Sequence, residues 1–215
     1  MNKKISRALA LAVAVCALAC TALGQQQPKA RRGGLDNLSL PSTSARVSAA
    51  STAGTPGAWL TFAPEGAGFS VSLPGMPDEG ALAGRQGGQV PGQFYSYRLA
   101  AGGLKYEVVR TPPLPAQLVS QPGFADKFFA TATENLTRAL LAENPNIKFQ
   151  LVAEQTISLD GYEGRELEFA AAGHRALARV FLIERSLYGL GVLGTKSDMT
   201  PDKVNRFLNS LALTQ

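Results

Sequence analysis

Residues 149–194 read FQLVAEQTISLDGYEGRELEFAAAGHRALARVFLIERSLYGLGVLG, and this stretch decides the fold. Asp160-Gly161 signals a tight hairpin turn, since glycine accepts the positive φ that such a reversal needs. From residue 165 to residue 170 two sets of side chains alternate with period two, as they do along a pleated strand. A second reversal at residues 172–174 leads to four consecutive apolar residues, Val180 to Ile183, which indicate a central strand covered on both faces. The stretch therefore predicts three or four antiparallel strands in succession.

The segments before this stretch add further strands. Short runs at Trp59–Phe62 and Phe69–Leu73 read as strands, and a proline ends the second because proline cannot donate to a sheet ladder. Gln93–Leu99 and Leu104–Arg110 are expected to pair as a hairpin.

Two amphipathic helices complete the pattern. In the first helix an apolar residue recurs at every fourth position, and Ser120 is placed to cap it. In the second, Thr200 is the expected cap and Pro201 takes the first helical position. The apolar stripe of the first helix consists of Phe124, Phe128, Ala132, Leu136 and Leu140. The predicted fold class is therefore α+β: an antiparallel sheet of about six to eight strands covered by two amphipathic helices, in an α/β/α sandwich.

The positive charge of the chain lies outside the predicted domain. The formal net charge is +5, yet from Gly57 onward 14 lysines and arginines stand against 15 acidic residues, a net charge of −1. Nucleic acid is therefore not an expected partner, since phosphate binding depends on clustered positive charge.

Residues 1–24 have the layout of a secretory signal peptide. A basic segment precedes an apolar run, residues 8–23, that is shorter than the roughly 20 residues a membrane span needs. Small residues then favour a cut between Gly24 and Gln25, and an uncleaved N-terminal anchor is one alternative. The protein is therefore expected in the periplasm or outside the cell.

Lipidation at Cys20 is the other alternative, because Leu18-Ala19-Cys20 partly resembles a bacterial lipobox. Peripheral membrane association is expected only in that case. Both cysteines, Cys16 and Cys20, lie inside the apolar run. A cut after Gly24 would leave the mature protein without cysteine, which excludes disulfides, thiol catalysis and Cys-ligated metals.

The segment after the leader is expected to be a disordered linker. Residues 25–56 are rich in Ser, Ala, Gly and Pro and show no sustained periodicity, so they cannot bury enough apolar surface to offset their ordering entropy. The folded domain is expected to span residues 57–215.

The sequence offers little for catalysis, and no catalytic residue, metal or cofactor is expected. Its one histidine, His174, lies in a predicted turn, so a multi-histidine zinc site is excluded. The glutamates of residues 163–168 could form a weak cation site. Cross-strand pairing with Arg175 and Arg179 is the favoured interpretation.

Aromatic residues around the first hairpin are the candidate ligand- or partner-binding set. Because these aromatic residues stand at alternating strand positions, packing in the core is the alternative to binding. The four residues are Phe94, Tyr95, Tyr97 and Tyr106. The glycines of Leu190–Gly194 lie in an apolar strand, where they are expected to permit close packing rather than to bind phosphate.

Several motifs together resemble the PsbP-like superfamily, and especially its small exported bacterial members, including the DcrB-like lipoproteins. They are GFSVSLPG at residues 68–75, LDGYEGREL at 159–167, ARVFL at 178–182, LYGL at 187–190 and RFLNS at 206–210. The resemblance covers Trp59 to Leu213. It implies the α+β fold and a role in binding or assembly rather than catalysis, and no site residue is carried over from it.

Two functions from different classes follow from these features. The first is an exported, non-catalytic binding or assembly domain that contacts a protein or another component of the cell envelope. The alternative is a carrier of a small apolar ligand, held between the sheet and the helix that begins near Phe124. A hydrolase is the third option, disfavoured by the single histidine and the lack of mature cysteine.

Overall fold

The computed structural model describes residues 58–77 and 95–214, which fold into two sheets and three helices. In chain order the elements are β1 (Leu60–Phe62), β2 (Phe69–Leu73), β3 (Tyr95–Ala101), β4 (Leu104–Arg110), α1 (Ala116–Val119), α2 (Phe124–Glu143), β5 (Gln150–Leu159), β6 (Tyr162–Ala171), β7 (His174–Ile183), β8 (Ser186–Thr195), α3 (Pro201–Leu208) and β9 (Ala212–Leu213). The predicted signal peptide, the predicted linker and Phe94 lie outside the described residues.

The larger sheet has six antiparallel strands in the order β3-β4-β8-β7-β6-β5. Strands β5 to β8 follow one another through tight hairpins, as residues 149–194 predict. At the first hairpin Asp160 has a φ of 50° and Gly161 a φ of 86°, which are the left-handed conformations of a two-residue turn. Strand β7 lies inside the sheet, and Val180, Phe181 and Ile183 are buried. The predicted central strand is therefore confirmed.

The two faces of this sheet carry separate cores. One face packs against helix α3 and against a small sheet of order β1-β2-β9. The opposite face packs against helix α2, where Phe129, Leu136 and Leu140 meet Phe169 and Val180. The result is a layered α+β sandwich, and the predicted fold class is confirmed.

One feature of the layering is not predicted from the sequence. Strands β1 and β2 do not extend the large sheet, and β2 instead pairs with β9 at the end of the chain. Strand β9 has two residues, Ala212 and Leu213. Two residues are too few to show the period-two alternation of a strand. The sequence therefore predicts no element after helix α3.

Helix α2 differs from its predicted form at its start. Ser120 follows the short helix α1, and Gly123 is the residue that precedes α2, with a φ of 70°. Ser120 is thus not the cap of α2, because residues 121–123 form a turn between two helices. Within the predicted stripe, Ala132, Leu136 and Leu140 are buried, whereas Phe124 and Phe128 are half-buried. Near the start of the helix, Phe129 is the phenylalanine whose side chain is buried.

Helix α3 begins as predicted, with Thr200 at the N-cap and Pro201 in the first turn. Val204, Phe207 and Leu208 are buried against the sheet. Over residues 58–77 and 95–214, no helix combines the length and the apolar character that a membrane crossing needs.

Candidate functional site

A groove opens between helix α2 and the large sheet, beneath the second half of the helix. Its volume is about 350 Å³. Leu136, Leu140 and Glu143 form its roof, and a space of about 40 Å³ continues beneath Ala132. Small-molecule sites usually span roughly 300–1,000 Å³, so this groove is at the lower end of that range.

The floor of the groove is deep because neighbouring strands carry small residues there. The strand register places Ala178, Gly191 and Glu107 in one row across β7, β8 and β4. A Cβ atom built on Gly191 would meet no heavy atom within 4 Å beyond its chain neighbours. The next row brings Phe169 and Leu193 to the lining. The missing side chain at Gly191 therefore leaves open space in the middle of the sheet.

One end of the groove is charged. The Arg98 guanidinium lies 2.9 Å from Oε1 of Glu107 and 3.2 Å from Oε1 of Glu143. Only 14% of the Glu107 side chain is exposed, against 24% for Glu143. Lys105 also lines this end, but it is exposed and forms no ion pair with any residue of the described ranges. Two carboxylates therefore share one partly buried guanidinium.

Burial raises the pKa of the Glu107 carboxyl above its ordinary value. The neighbouring Arg98 opposes this rise, while the negative charge of Glu143 adds to it. Desolvation is the largest cause, because moving a carboxylate away from water disfavours its charged form. Burial therefore favours the neutral form of the Glu107 carboxyl, while the ion pair with Arg98 favours its charged form.

The lining suits retention of a molecule more than reaction with it. Away from the charged end it is mostly hydrocarbon, contributed by leucine, alanine and phenylalanine side chains of the helix and the sheet. Such a surface gains stability by excluding water from an apolar ligand, and the charged end can orient a polar group.

The three described tyrosines of the predicted binding set lie on the opposite face of the sheet. Tyr95, Tyr97 and Tyr106 are 7%, 8% and 2% exposed. The ring of Tyr97 lies 4.8 Å from that of Phe62, and the ring of Tyr106 lies 5.1 Å from that of Phe207. All three belong to the core beneath helix α3. Their role in binding stays a prediction. The ring contacts are those of core packing, the Tyr95 hydroxyl donates to the Gly66 carbonyl, and Tyr106 is also among the residues that line the groove.

The glutamates of strand β6 pair across the sheet as expected. Arg179 Nε lies 2.6 Å from Glu166 Oε2, and Arg175 Nε lies 2.7 Å from Glu168 Oε1. Arg179 also donates to the Leu208 carbonyl at the end of helix α3. The predicted cross-strand pairs are confirmed. Within the described part of the chain, no three His, Cys, Asp or Glu side chains are placed to hold a metal ion.

His174 lies at the start of β7, next to the turn at Gly173. Its Nδ1 atom is 3.1 Å from the Ala172 carbonyl oxygen. The residue is not part of the groove lining, and its contact is local to the hairpin.

The prediction that the glycines of β8 permit close packing is half right. A Cβ on Gly194 would collide with the Leu104 side chain, so this glycine does allow close approach. Gly191 does not, since the space above it is open. The sequence does not predict that Gly191 lies in the groove floor, because the floor also requires Ala178 and Glu107. The three residues become neighbours only once the strand register is known.

The sequence matches no protein-family model, and no curated protein matches it. Among solved structures, the chain is similar to cyanobacterial PsbP (CyanoP) from Synechocystis sp. PCC 6803, with a TM-score of 0.53 and 14% identity over 76% of this chain and 96% of that chain. A protein of unknown function from Pseudomonas aeruginosa aligns with a TM-score of 0.33 and 13% identity, over 66% of this chain and 85% of that chain, which is too distant to carry an argument. The first likeness shows the fold alone. The closer resemblance to DcrB-like lipoproteins stays a prediction.

Proposed function

Starting from a domain with a PsbP-like fold, we propose that the protein is an exported, non-catalytic binding domain that holds a small, largely apolar ligand under helix α2. The observation that carries the proposal is the groove of about 350 Å³ above Gly191. A mostly apolar groove of this size between a helix and a sheet, with charged side chains at one end, has the lining that small-molecule sites use.

The location of the protein rests on its first 56 residues. Residues 1–24 have the basic and apolar segments of a signal peptide, and residues 25–56 have the composition of a flexible linker. We propose that the leader directs export and that the linker separates the domain from the envelope surface. Lipidation at Cys20 is the variant of this proposal in which the domain stays attached to a membrane.

Filling the groove floor tests the ligand proposal. Gly191→Val places a branched side chain in open space on a strand, so the domain should fold and helix α2 should stay in place. Titration of the ¹⁵N-labelled protein with 1-decanol should shift the amide signals of Ala178, Gly191 and Leu140. In the variant the affinity should fall at least about 10-fold, which corresponds to about 1.4 kcal/mol.

Thr156→Val is the control, because it introduces the same valine side chain on the exposed strand β5, away from the groove. Its affinity for 1-decanol should equal that of the parent. Equal affinities in the parent and in Gly191→Val, or shifts confined to residues outside the groove, would refute the proposed site.

A protein partner is the second candidate function, and strand β5 favours it. Within residues 58–77 and 95–214, this ten-residue edge strand has one neighbour, β6, and its first seven residues are exposed. Leu151 and Val152 are 39% and 56% exposed, and the pairing with β6 is irregular at this point. A long exposed edge offers unpaired backbone groups to which another strand can add.

Crosslinking in the cell tests this second candidate. Val152→Lys places a charge on the edge without entering the core, and it should remove any partner that pairs with β5. Ser158→Lys, near the other end of the strand, is the position control for a partner that contacts residues 151–153. A captured protein that is retained equally by both variants would exclude the edge as its binding surface.

A further inference from the structure

The charged end of the groove constrains the ligand more closely than its volume does. With both carboxyls ionised, Arg98, Glu107 and Glu143 together carry a formal charge of −1, because one guanidinium serves two carboxylates. All three side chains are at least partly buried, with exposures between 14% and 28%. Charges in such a position are screened less by salt than surface charges are.

Helix α2 adds to the negative potential at this end. The helix ends at Glu143, and the carbonyl groups of a final turn carry partial negative charge. A lysine or arginine commonly offsets that charge, but the last turn of α2 has none. The Asn144 side chain and backbone amide both donate to the Leu140 carbonyl, which caps one of these groups without adding a positive charge.

Among the described residues that line the groove of about 350 Å³, Lys105 is the one positive charge beyond this trio. Its side chain is exposed, so water surrounds the ammonium and weakens its effect inside the groove. The buried part of the charged end is therefore complementary to a cation. The apolar part extends from it beneath Leu140 and Leu136, over Ala178 and Gly191.

From this geometry we infer that the groove takes an amphiphilic amine, with its ammonium group beside the carboxylates of Glu143 and Glu107 and its apolar body over Gly191. This inference rests on the proposed function, since it names the class of ligand for the same groove. It commits to an organic cation with a hydrocarbon body, and excludes fatty acids and neutral lipids as preferred ligands.

Three probes with one hydrocarbon chain and different head groups test the inference. The full-length, purified protein is titrated with decylamine, 1-decanol and decanoate, below their aggregation concentrations, by calorimetry and by NMR. Decylamine should bind at least about 5-fold more tightly than 1-decanol and about 10-fold more tightly than decanoate, in keeping with one favourable charge interaction.

Two charge substitutions should change this preference in opposite directions. Glu143→Gln removes a negative charge from a partly exposed position and should reduce the ratio of amine to alcohol affinity to about 1–2. Lys105→Gln removes the opposing positive charge and should raise that ratio. Thr156→Val, outside the groove, should leave the ratio unchanged.

The outcomes separate the two proposals. Equal binding of all three probes, abolished by Gly191→Val, would overturn the amine inference and leave the proposed groove function standing. Tighter binding of decanoate, lost in Lys105→Gln, would overturn the inference in favour of an anionic ligand. Failure of every probe would overturn both proposals.

Discussion

Two glycines of the large sheet differ in what surrounds them, although both lie inside strands. A Cβ atom on Gly164 would lie 2.8 Å from the Val180 carbonyl oxygen and would collide with the Phe181 ring. A Cβ atom on Gly191 would meet nothing within 4 Å. The same residue type thus serves close packing at one position and an open floor at the other.

Alanine at these two positions should have opposite effects on stability. Gly164→Ala should destabilise the domain by about 1–3 kcal/mol, because backbone and ring must both move to admit the methyl group. Gly191→Ala should be neutral or stabilise by up to about 1 kcal/mol, because alanine restricts the unfolded chain more than glycine does. Urea denaturation of both variants measures the difference, and equal losses would contradict the open floor.

At the scale of the element, helix α2 contains a buried polar group without a full set of partners. Asn135 is fully buried, and its side-chain oxygen lies 3.4 Å from an Arg138 nitrogen. Its Nδ2 atom has no hydrogen-bond partner among the described residues. A buried donor left unpaired costs free energy, because it has given up its hydrogen bonds to water.

Replacing this side chain with an apolar one of similar size should stabilise the protein. We expect Asn135→Leu to raise the free energy of unfolding by about 1–3 kcal/mol, the cost of one buried unpaired donor. Glu134→Ala, at the exposed neighbouring position, should change it by less than about 0.5 kcal/mol. Thermal and urea unfolding give both values. A loss of stability in Asn135→Leu would show that the amide is needed where it lies.

Local signals in the sequence predict the elements well and their contacts less well. Asp160-Gly161 and Thr200-Pro201 mark a turn and a helix start, because each depends on the conformations of two adjacent residues. The start of α2 was placed wrongly, since Ser120 fits a cap as well as it fits the end of α1. Cap chemistry alone does not distinguish these two positions.

The candidate site could not be read from the sequence in the same way. Glu107, Gly191 and Ala178 are separated along the chain, and they lie side by side only through the pairing of β4, β8 and β7. The aromatic residues near β3 were predicted to bind a ligand or partner because aromatic side chains often line binding sites. The large apolar area of the three described tyrosines instead favours their burial in the core. A binding floor made of small residues gives no such signal.

At the scale of the whole molecule, buried tyrosines link stability to alkaline pH. Burial raises the pKa of Tyr106 and that of Tyr188, with Arg110 opposing the rise at Tyr188. The unfolded chain ionises its tyrosines near a pH of about 10, whereas these two stay protonated to higher pH in the fold. Their contribution to stability is therefore complete below that pH and is lost as the pH rises through their folded-state pKa values.

The double variant Tyr106→Phe/Tyr188→Phe tests this coupling. In the parent, the free energy of unfolding should fall above pH 10, by up to about 1.4 kcal/mol per pH unit for each buried tyrosine. The double variant should show a shallower fall, because phenylalanine does not ionise. Urea denaturation between pH 8 and pH 11.5 measures both slopes. Identical slopes would assign the alkaline instability to other groups.

The small sheet also determines how the domain would respond to mechanical load. Its middle strand, β2, is flanked by β1 near the start of the domain and by β9 at its end. If the chain is anchored through lipid on Cys20, tension enters through β1, a strand of three residues that, among the described residues, pairs with β2 alone. This strand would peel away first, while the six-stranded sheet and the groove on its far face stay intact. The domain would then keep its ligand while its attachment point yields.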